Sequence, residues 1–300
     1  MRLSTSQIFQ QSVTTMQTQQ TDLAKTQMQL SIGKNNLSPS DDPAAATRIL
    51  DLNNVIETND QYQRNADFAN TRLYMEEAVL TEVGDILQRT RELSVQANND
   101  TLNASDRQSI AFEVRESIEA LVQLANSTDA TGEYLFAGFK TDTIPFTDDG
   151  AGNFTYEGDQ GQRNLQIGAR RQVAIGDSGN DVFMKVDDGA GGVDSMFSAL
   201  YDFVIDLESN TPSTTTLTRI DSALDSVLDT RASVGARLNT IENQKSANDS
   251  FSLLLQENRS SLEDLDYAEA VSRFERQLLA LQASQQSFVK VQGLSLFNYL

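Results

Sequence analysis

The residues able to do chemistry are few, and each has a plainer reading. Gly176-Asp177-Ser178-Gly179 has the layout of a serine nucleophile segment. A serine hydroxyl needs a base to take its proton, and the chain contains no His, so the segment is read as a turn between strands. Gly33-Lys34 lacks the upstream Gly and the following Ser or Thr of a phosphate-binding loop. Asp148-Asp149-Gly150 and Asp187-Asp188-Gly189 suggest calcium loops, but neither has acidic ligands at the required intervals, and both read as hairpin turns. Asp41-Asp42 could hold a cation or act as an acid/base pair. The run Pro43-Ala44-Ala45-Ala46 that follows makes Asp42 an N-cap, with Pro43 at the first helical position. A carboxylate-dependent hydrolase working in the Asp-rich middle of the chain is the enzyme reading; a divalent-metal titration with neither binding nor hydrolysis counts against it. No catalytic, cofactor-binding or metal-ligating residue is assigned.

Composition narrows the field further. The 300 residues allow two domains or one nested architecture. A net charge of -20 disfavours nucleic acid and anionic membrane surfaces as partners. No apolar run approaches a membrane span. Without Cys or His there is no thiolate catalysis, no disulfide and no ordinary zinc site. Met1-Arg2-Leu3-Ser4-Thr5-Ser6-Gln7 lacks the apolar core of a secretory signal. The expectation is a protein that stays in the cytoplasm or leaves by a route that reads no cleavable signal.

The chain is therefore expected to build structure. After a first helix, Gly33 and Asn35-Asn36 signal a stop and turn. A helix from about Ala44 to Asn98 follows, with no Pro in it and Gly84 as its single Gly, long enough to suggest a rod. Asn98-Asn99-Asp100-Thr101 breaks it. Ser105 and Gln108, in capping-box spacing, open a helix through Ile110, Val114, Ile118 and Leu121 to about Ala125. From Gly132 to Gly192 the chain turns rich in Gly, Asp and Thr. Strands are expected at Tyr134–Ala137, Asn153–Tyr156, Asn164–Ile167, Gln172–Ile175 and Val182–Met184. Helix returns over Ser195–Leu207. After Ser209-Asn210-Thr211-Pro212-Ser213, a last helical run from Thr214 continues into the C-terminal segment.

Both ends of the chain carry a seam of alternating four- and three-residue steps. One is Phe9, Val13, Met16, Gln20, Leu23, Gln27 and Leu30; the other is Tyr267, Val271, Phe274, Leu278, Leu281, Gln285 and Phe288. Gln at seam positions weakens a helix pair but helps fix its register. Leu279, Val289 and Val291 add apolar surface beyond the second seam, and Leu294-Ser295-Leu296-Phe297-Asn298-Tyr299-Leu300 is apolar and uncharged. The two terminal helices are expected to pair antiparallel. An ordinary bundle with amphipathic ends is the plainer alternative.

Three blocks resemble the flagellin superfamily. The first is Ser31-Ile32-Gly33-Lys34 with Ser38-Pro39-Ser40-Asp41-Asp42-Pro43-Ala44-Ala45. The second is Arg89-Thr90-Arg91-Glu92-Leu93-Ser94-Val95-Gln96-Ala97-Asn98-Asn99, followed by Asp106-Arg107 and Thr131-Gly132. The third is Arg231-Ala232-Ser233-Val234-Gly235-Ala236-Arg237-Leu238-Asn239. The resemblance covers both helical arms. Within the superfamily, Met1–Thr5, Leu294–Leu300 and Thr131-Gly132-Glu133-Tyr134-Leu135-Phe136-Ala137-Gly138 are similar to its hook–filament junction branch rather than to filament subunits; a flagellin is the alternative.

The resemblance implies a structural subunit of the bacterial flagellum that joins hook to filament by helical self-assembly. It also implies type III export without signal cleavage, a cytoplasmic export chaperone, and contacts with flagellin and with the other hook-associated junction protein. The expected fold is mainly α with a β-rich insert: an elongated antiparallel helical rod with paired terminal helices and a small distal β domain. Its parts are residues 1–36 with 263–300 for assembly, 37–131 with 195–262 for the rod, and 132–194 for the insert. The expected assembly interface is Phe9, Val13, Met16, Leu23, Leu30, Val271, Phe274, Leu278, Leu281, Phe288, Leu296, Phe297 and Leu300.

Overall fold

A computed structural model describes residues 5–99, 101–187, 192–211 and 213–293. The chain is mainly helical, with small antiparallel sheets confined to an insert. In order the elements are α1 (Thr5–Ile32), α2 (Pro43–Ala97), α3 (Ala104–Ala125), β1 (Phe146–Asp148), β2 (Phe154–Tyr156), β3 (Asn164–Gly168), β4 (Arg171–Ala174), α4 (Gly179–Phe183), β5 (Val186–Asp187), β6 (Val193–Asp194), α5 (Met196–Glu208), α6 (Thr214–Glu263) and α7 (Tyr267–Gly293). Two compact units result: Met1–Thr58 with Phe251–Leu300, and Asn59–Ser250.

In the second unit the core stripe of α2 is Leu73, Leu80, Val83 and Leu87, and that of α3 is Ile110, Val114, Ile118 and Leu121. Alpha5 adds Phe203, Val204 and Leu207, and α6 adds Ile220, Val227, Val234 and Ile241. Each such side chain contributes about 1.5–3 kcal/mol by leaving water. Polar partners fix α2 and α6 as antiparallel: Asn59 Nδ2 donates to Asn248 O (2.8 Å), Arg231 pairs with Glu77 (2.8 Å), and Arg91 pairs with Asp221 (2.5 Å).

Alpha3 starts two residues before the position its sequence suggests. Asn103, not Ser105, is the N-cap: its side chain accepts from Asp106 N (2.9 Å), while Asp106 Oδ2 accepts from Asn103 N (3.2 Å). Asn is at least as good a cap as Ser, and Asp106 completes the reciprocal pair that Gln108 was expected to make.

The insert departs most from expectation. Its strands form three separate two-stranded antiparallel sheets, β1-β2, β3-β4 and β5-β6. The strands at β2, β3 and β4 fall where alternation predicts, and β1, β5 and β6 are additional. Tyr134–Ala137 forms no strand. Phe136 and Ala137 are buried, and Phe136 O accepts from Gly179 N at the start of α4 (2.8 Å) and from the Tyr156 side chain Oη (2.8 Å), so this carbonyl is taken up outside any ladder. Val182 and Phe183 lie in the short helix α4, because Ser178 caps a turn there. Gly176–Gly179 therefore leads from β4 into a helix and does not join two strands. Asp148-Asp149-Gly150 does open the β1–β2 hairpin, where Asp149 Oδ1 accepts from Ala151 N (2.8 Å) and Asn153 N (3.1 Å). The turn expected at Asp187-Asp188-Gly189 lies mostly outside the described residues. Phe146 packs its ring against Tyr156, Phe183 and Phe197 at 5.2–5.3 Å, and that aromatic cluster does the work a single sheet would otherwise do.

The first unit holds α1, the start of α2, the end of α6 and α7. Asp42 Oδ1 accepts from Ala44 N (3.1 Å) and Ala45 N (3.0 Å), the expected cap of α2. Alpha6 does not run on into α7. The chain breaks at Asp264-Leu265-Asp266, where Leu265 is buried and its N–H donates to Gly33 O (3.0 Å). Asp266 Oδ1 then caps α7 by accepting from Ala268 N (2.9 Å) and Glu269 N (3.2 Å). Asp followed three residues later by Glu is a helix-start signal, legible in the sequence but masked by the apolar periodicity on either side.

Candidate assembly interface

Alpha1 and α7 pack side by side and run antiparallel. The rings of Phe9 and Phe288 lie 4.9 Å apart at one end, and Tyr267 closes over Gly33 at the other. The covered positions on α1 include Ser12, Met16, Gln19, Leu23, Thr26 and Leu30, and on α7 they include Ala270, Phe274, Gln277, Leu281, Ser284 and Phe288, with Arg273 partly covered beside them. Both sets step by four and three. Met16, Leu23, Leu30, Phe274, Leu281 and Phe288 sit where the sequence places them. The alternating positions shift by one residue. Thr26 is buried while Gln27 is exposed, and Gln19 is covered rather than Gln20. Ala270 is fully buried while Val271 is 45 % exposed. Val13 is half-buried next to Ser12. Short side chains at alternate positions let two helix backbones come close, so Ala270, Ser284 and Thr26 take the inside and Val271 and Leu278 face out.

Of the expected interface residues that are described, Leu281 is thus the one buried in the pair. Val13, Met16, Leu23, Leu30, Phe274 and Phe288 are half-buried, and Phe9, Val271 and Leu278 are exposed. Leu296, Phe297 and Leu300 lie outside the described residues. The pair has an unusually polar lining. Gln19 Oε1, Gln277 Oε1 and Arg273 Nε are buried without a hydrogen-bond partner, each a cost of about 1–3 kcal/mol. It is also nearly uncharged. Alpha1 carries only Asp22 and Lys25, and α7 carries Glu269 and Glu275 against Arg273, Arg276 and Lys290, in a chain of net charge -20.

The bend between α1 and α2 is held from several sides. Asp41 Oδ2 accepts from Leu37 N and Ser38 N (both 3.1 Å), and Asp41 Oδ1 pairs with Lys25 (2.5 Å). The hydrogen bond from Lys25 and those from the amides hold the Asp41 carboxyl below the usual carboxylate range. Gln29 Nε2 donates to Asn35 O (2.5 Å), and Asn35 N donates to Glu263 O (2.8 Å).

The residues with chemical potential are occupied in structural roles. Ser178 Oγ donates to Asp159 O (2.9 Å) and lies 3.1 Å from Tyr156 Oη, inside the insert. Arg72, almost fully buried, pairs with Asp129 (2.5 Å) and Glu133 (3.3 Å). Glu76 accepts from Asp177 N (3.0 Å), and Asp177 pairs with Arg237. Burial, joined by the Asp177 carboxylate, pushes the Glu76 carboxyl up to about 8 against the pull of Arg237. Among the described residues no group of three or more carboxylates could hold a metal ion, and no helix is long and apolar enough to cross a membrane.

Long helices at the two ends of the chain that pair with each other, with an insert between them in sequence, define a class of mainly helical proteins. The bacterial flagellin N-terminal helical region matches residues 3–141, and the bacterial flagellin C-terminal helical region matches residues 217–300. Flagellar hook-associated protein 3 of Escherichia coli (strain K12) is 33% identical over 317 residues, covering 99% of each chain. A flagellin of Bacillus subtilis (strain 168) is 28% identical over 276 residues, covering 87% of this chain and 86% of its own. The crystal structure of hook-associated protein-3 from Legionella pneumophila has the same fold, with a TM-score of 0.67 and 21% identity over 70% of this chain and 98% of that one. The chain belongs to the flagellar hook-associated protein 3 family, within the flagellin superfamily.

Proposed function

We propose that this protein is the structural subunit that joins the flagellar hook to the filament, assembling with copies of itself and contacting flagellin and the other hook-associated junction protein. The observation that carries this reading is the end-to-end match to hook-associated protein 3, which includes both terminal helices and the insert. The helix pair supports it: a nearly neutral, polar-lined pair gains little on its own and much from further packing. In this reading residues 1–36 with 263–300 are the assembly region, 37–131 with 195–262 the helical body, and 132–194 the insert. The interface comprises Phe9, Val13, Met16, Leu23, Leu30, Val271, Phe274, Leu278, Leu281, Phe288, Leu296, Phe297 and Leu300.

The protein reaches the flagellum through its type III export channel, held before export by a cytoplasmic chaperone. A chain without Cys suits passage through a narrow channel in an unfolded state, since no disulfide forms before or after transit. A flagellin is the second reading, supported by the 28% identity to the Bacillus subtilis protein. Antibody labelling of intact flagella separates the two. A single short zone between hook and filament supports the junction reading, and label along the whole filament overturns it in favour of a flagellin.

A further inference from the structure

At the bend between α1 and α2 lies a groove of about 510 Å³, lined by Leu37, Pro39, Pro43, Ile49 and Leu50, with Lys34 and Glu263 at its rim. Leu50 is 64 % exposed there. The wall is preformed, because Asp41, Lys25, Gln29 and the backbone of Glu263 all hold the bend. The rim charges, Lys34 and Glu263, are paired with each other, so the groove presents mainly apolar surface, with the neutral polar side chains of Asn36, Ser38 and Thr47 beside it and no net charge. It therefore suits a peptide with apolar side chains and not one with acidic or basic side chains.

The chain itself contains such a peptide. Leu294-Ser295-Leu296-Phe297-Asn298-Tyr299-Leu300 has no charged side chain and five apolar or aromatic ones. It cannot reach the groove of its own copy. Alpha7 has 27 residues, which is about 40 Å at 1.5 Å per residue, and it starts beside the bend at Tyr267 and ends at Gly293. Seven extended residues span at most about 25 Å. We propose that in the assembly the segment Leu294–Leu300 of one copy seats in the Leu37–Leu50 groove of another copy. The proposal rests on the self-assembly reading above and identifies one contact of it. Groove and segment are different surfaces, so the contact is heterologous. It passes head to tail from copy to copy and propagates into a ring or helix, as a two-fold contact cannot.

Two measurements test this. A fluorescent peptide of residues 291–300 is titrated into the full chain, its Leu50→Glu variant and, as a control, a scrambled peptide replaces it. Saturable binding that falls at least tenfold with Leu50→Glu and with scrambling is expected. The variant is at an exposed site, and unchanged circular dichroism verifies its fold. In the second measurement, full chains carrying Leu50→Cys or Phe297→Cys are mixed, assembled and oxidised; the parent chain has no Cys to interfere. A disulfide-linked pair that forms only in the mixture is expected. Equal binding of the scrambled peptide, insensitivity to Leu50→Glu, or assemblies visible by electron microscopy without the cross-link each overturn the contact while leaving self-assembly intact. Specific peptide binding without any assembly upholds the groove and overturns self-assembly.

Discussion

The hydroxyl of Tyr267 occupies the space that a side chain at residue 33 would need. A Cβ on Gly33 would lie 2.7 Å from Tyr267 Oη, and Gly33 has φ +76°. Gly33 directly follows α1 and Tyr267 begins α7, so this contact lies where the two terminal helices meet.

Gly33→Ala therefore carries two penalties. The left-handed backbone costs a non-glycine residue about 1–2 kcal/mol, and the clash with Tyr267 adds to it. Tyr267→Phe removes the hydroxyl and leaves the ring carbon 3.7 Å away, an ordinary contact. The double variant should recover the steric part and keep the backbone part. Hydrogen exchange of α1 and α7 amides in a double-mutant cycle measures both; strict additivity of the two substitutions would show that the hydroxyl exerts no pressure on residue 33.

Leu281→Asp tests what the helix pair is for. Leu281 is 8 % exposed, and replacing it loses about 1.5–3 kcal/mol of burial and adds the cost of desolvating a carboxylate. The unit Asn59–Ser250 has a core of its own, from Leu73 to Ile241. Its melting transition should stay near that of the parent chain, while assembled junctions fail and filament subunits are lost to the medium. Attached filaments and normal swimming in this variant would place the assembly surface elsewhere.

Glu76 gives the stability a pH dependence of unusual sign for a carboxylate. Its folded value is about 8, above the ordinary 4.5. The folded chain therefore holds a proton that the unfolded chain releases between those values. The contribution is complete below about pH 4.5 and is lost as pH rises through about 8, with a slope of up to roughly 1.4 kcal/mol per pH unit. Glu76→Gln should remove that slope and leave the variant relatively more stable at pH 8.5 than at pH 5.5. Chemical denaturation at the two pH values checks it; a parallel loss at both would mean that Glu76 is ionised throughout.

Asn126 closes the end of α3 onto the insert. Its Nδ2 donates to Phe146 O and its Oδ1 accepts from Phe146 N, both at 2.9 Å, so one side chain imitates a strand neighbour. Asn126→Ala leaves both backbone groups of Phe146 without that partner and should cost about 2–4 kcal/mol at roughly 1–2 per unmade bond. Near-ultraviolet circular dichroism of the Phe146 aromatic cluster should weaken before the far-ultraviolet helix signal does. Simultaneous loss of both signals would mean that insert and helices unfold as one.

What the sequence determined by itself was the set of long helices, the cap at Asp42, the hairpin turn at Asp149, and the four-and-three repeat that pairs the two ends. These follow from local rules, namely apolar periodicity, capping and turn chemistry, which act over a few residues. Its family blocks at Ser31–Ala45, Arg89–Asn99 and Arg231–Asn239 likewise needed no coordinates. Only the tertiary structure decided which neighbour of each seam residue goes inside. The choice of Ala270 over Val271 depends on how closely two backbones approach, and hydrophobicity alone ranks the pair the wrong way round. The break at Asp264–Asp266 is of the same kind: Leu265 N–H leaves a helical bond for Gly33 O, a residue more than two hundred positions away. In the insert, Phe136, Phe146, Phe154, Phe183 and Phe197 are scattered along the chain and become one cluster only when α4 and α5 are in place. Strands of two to five residues are too short to assert themselves, so the packing of those rings settles where they form.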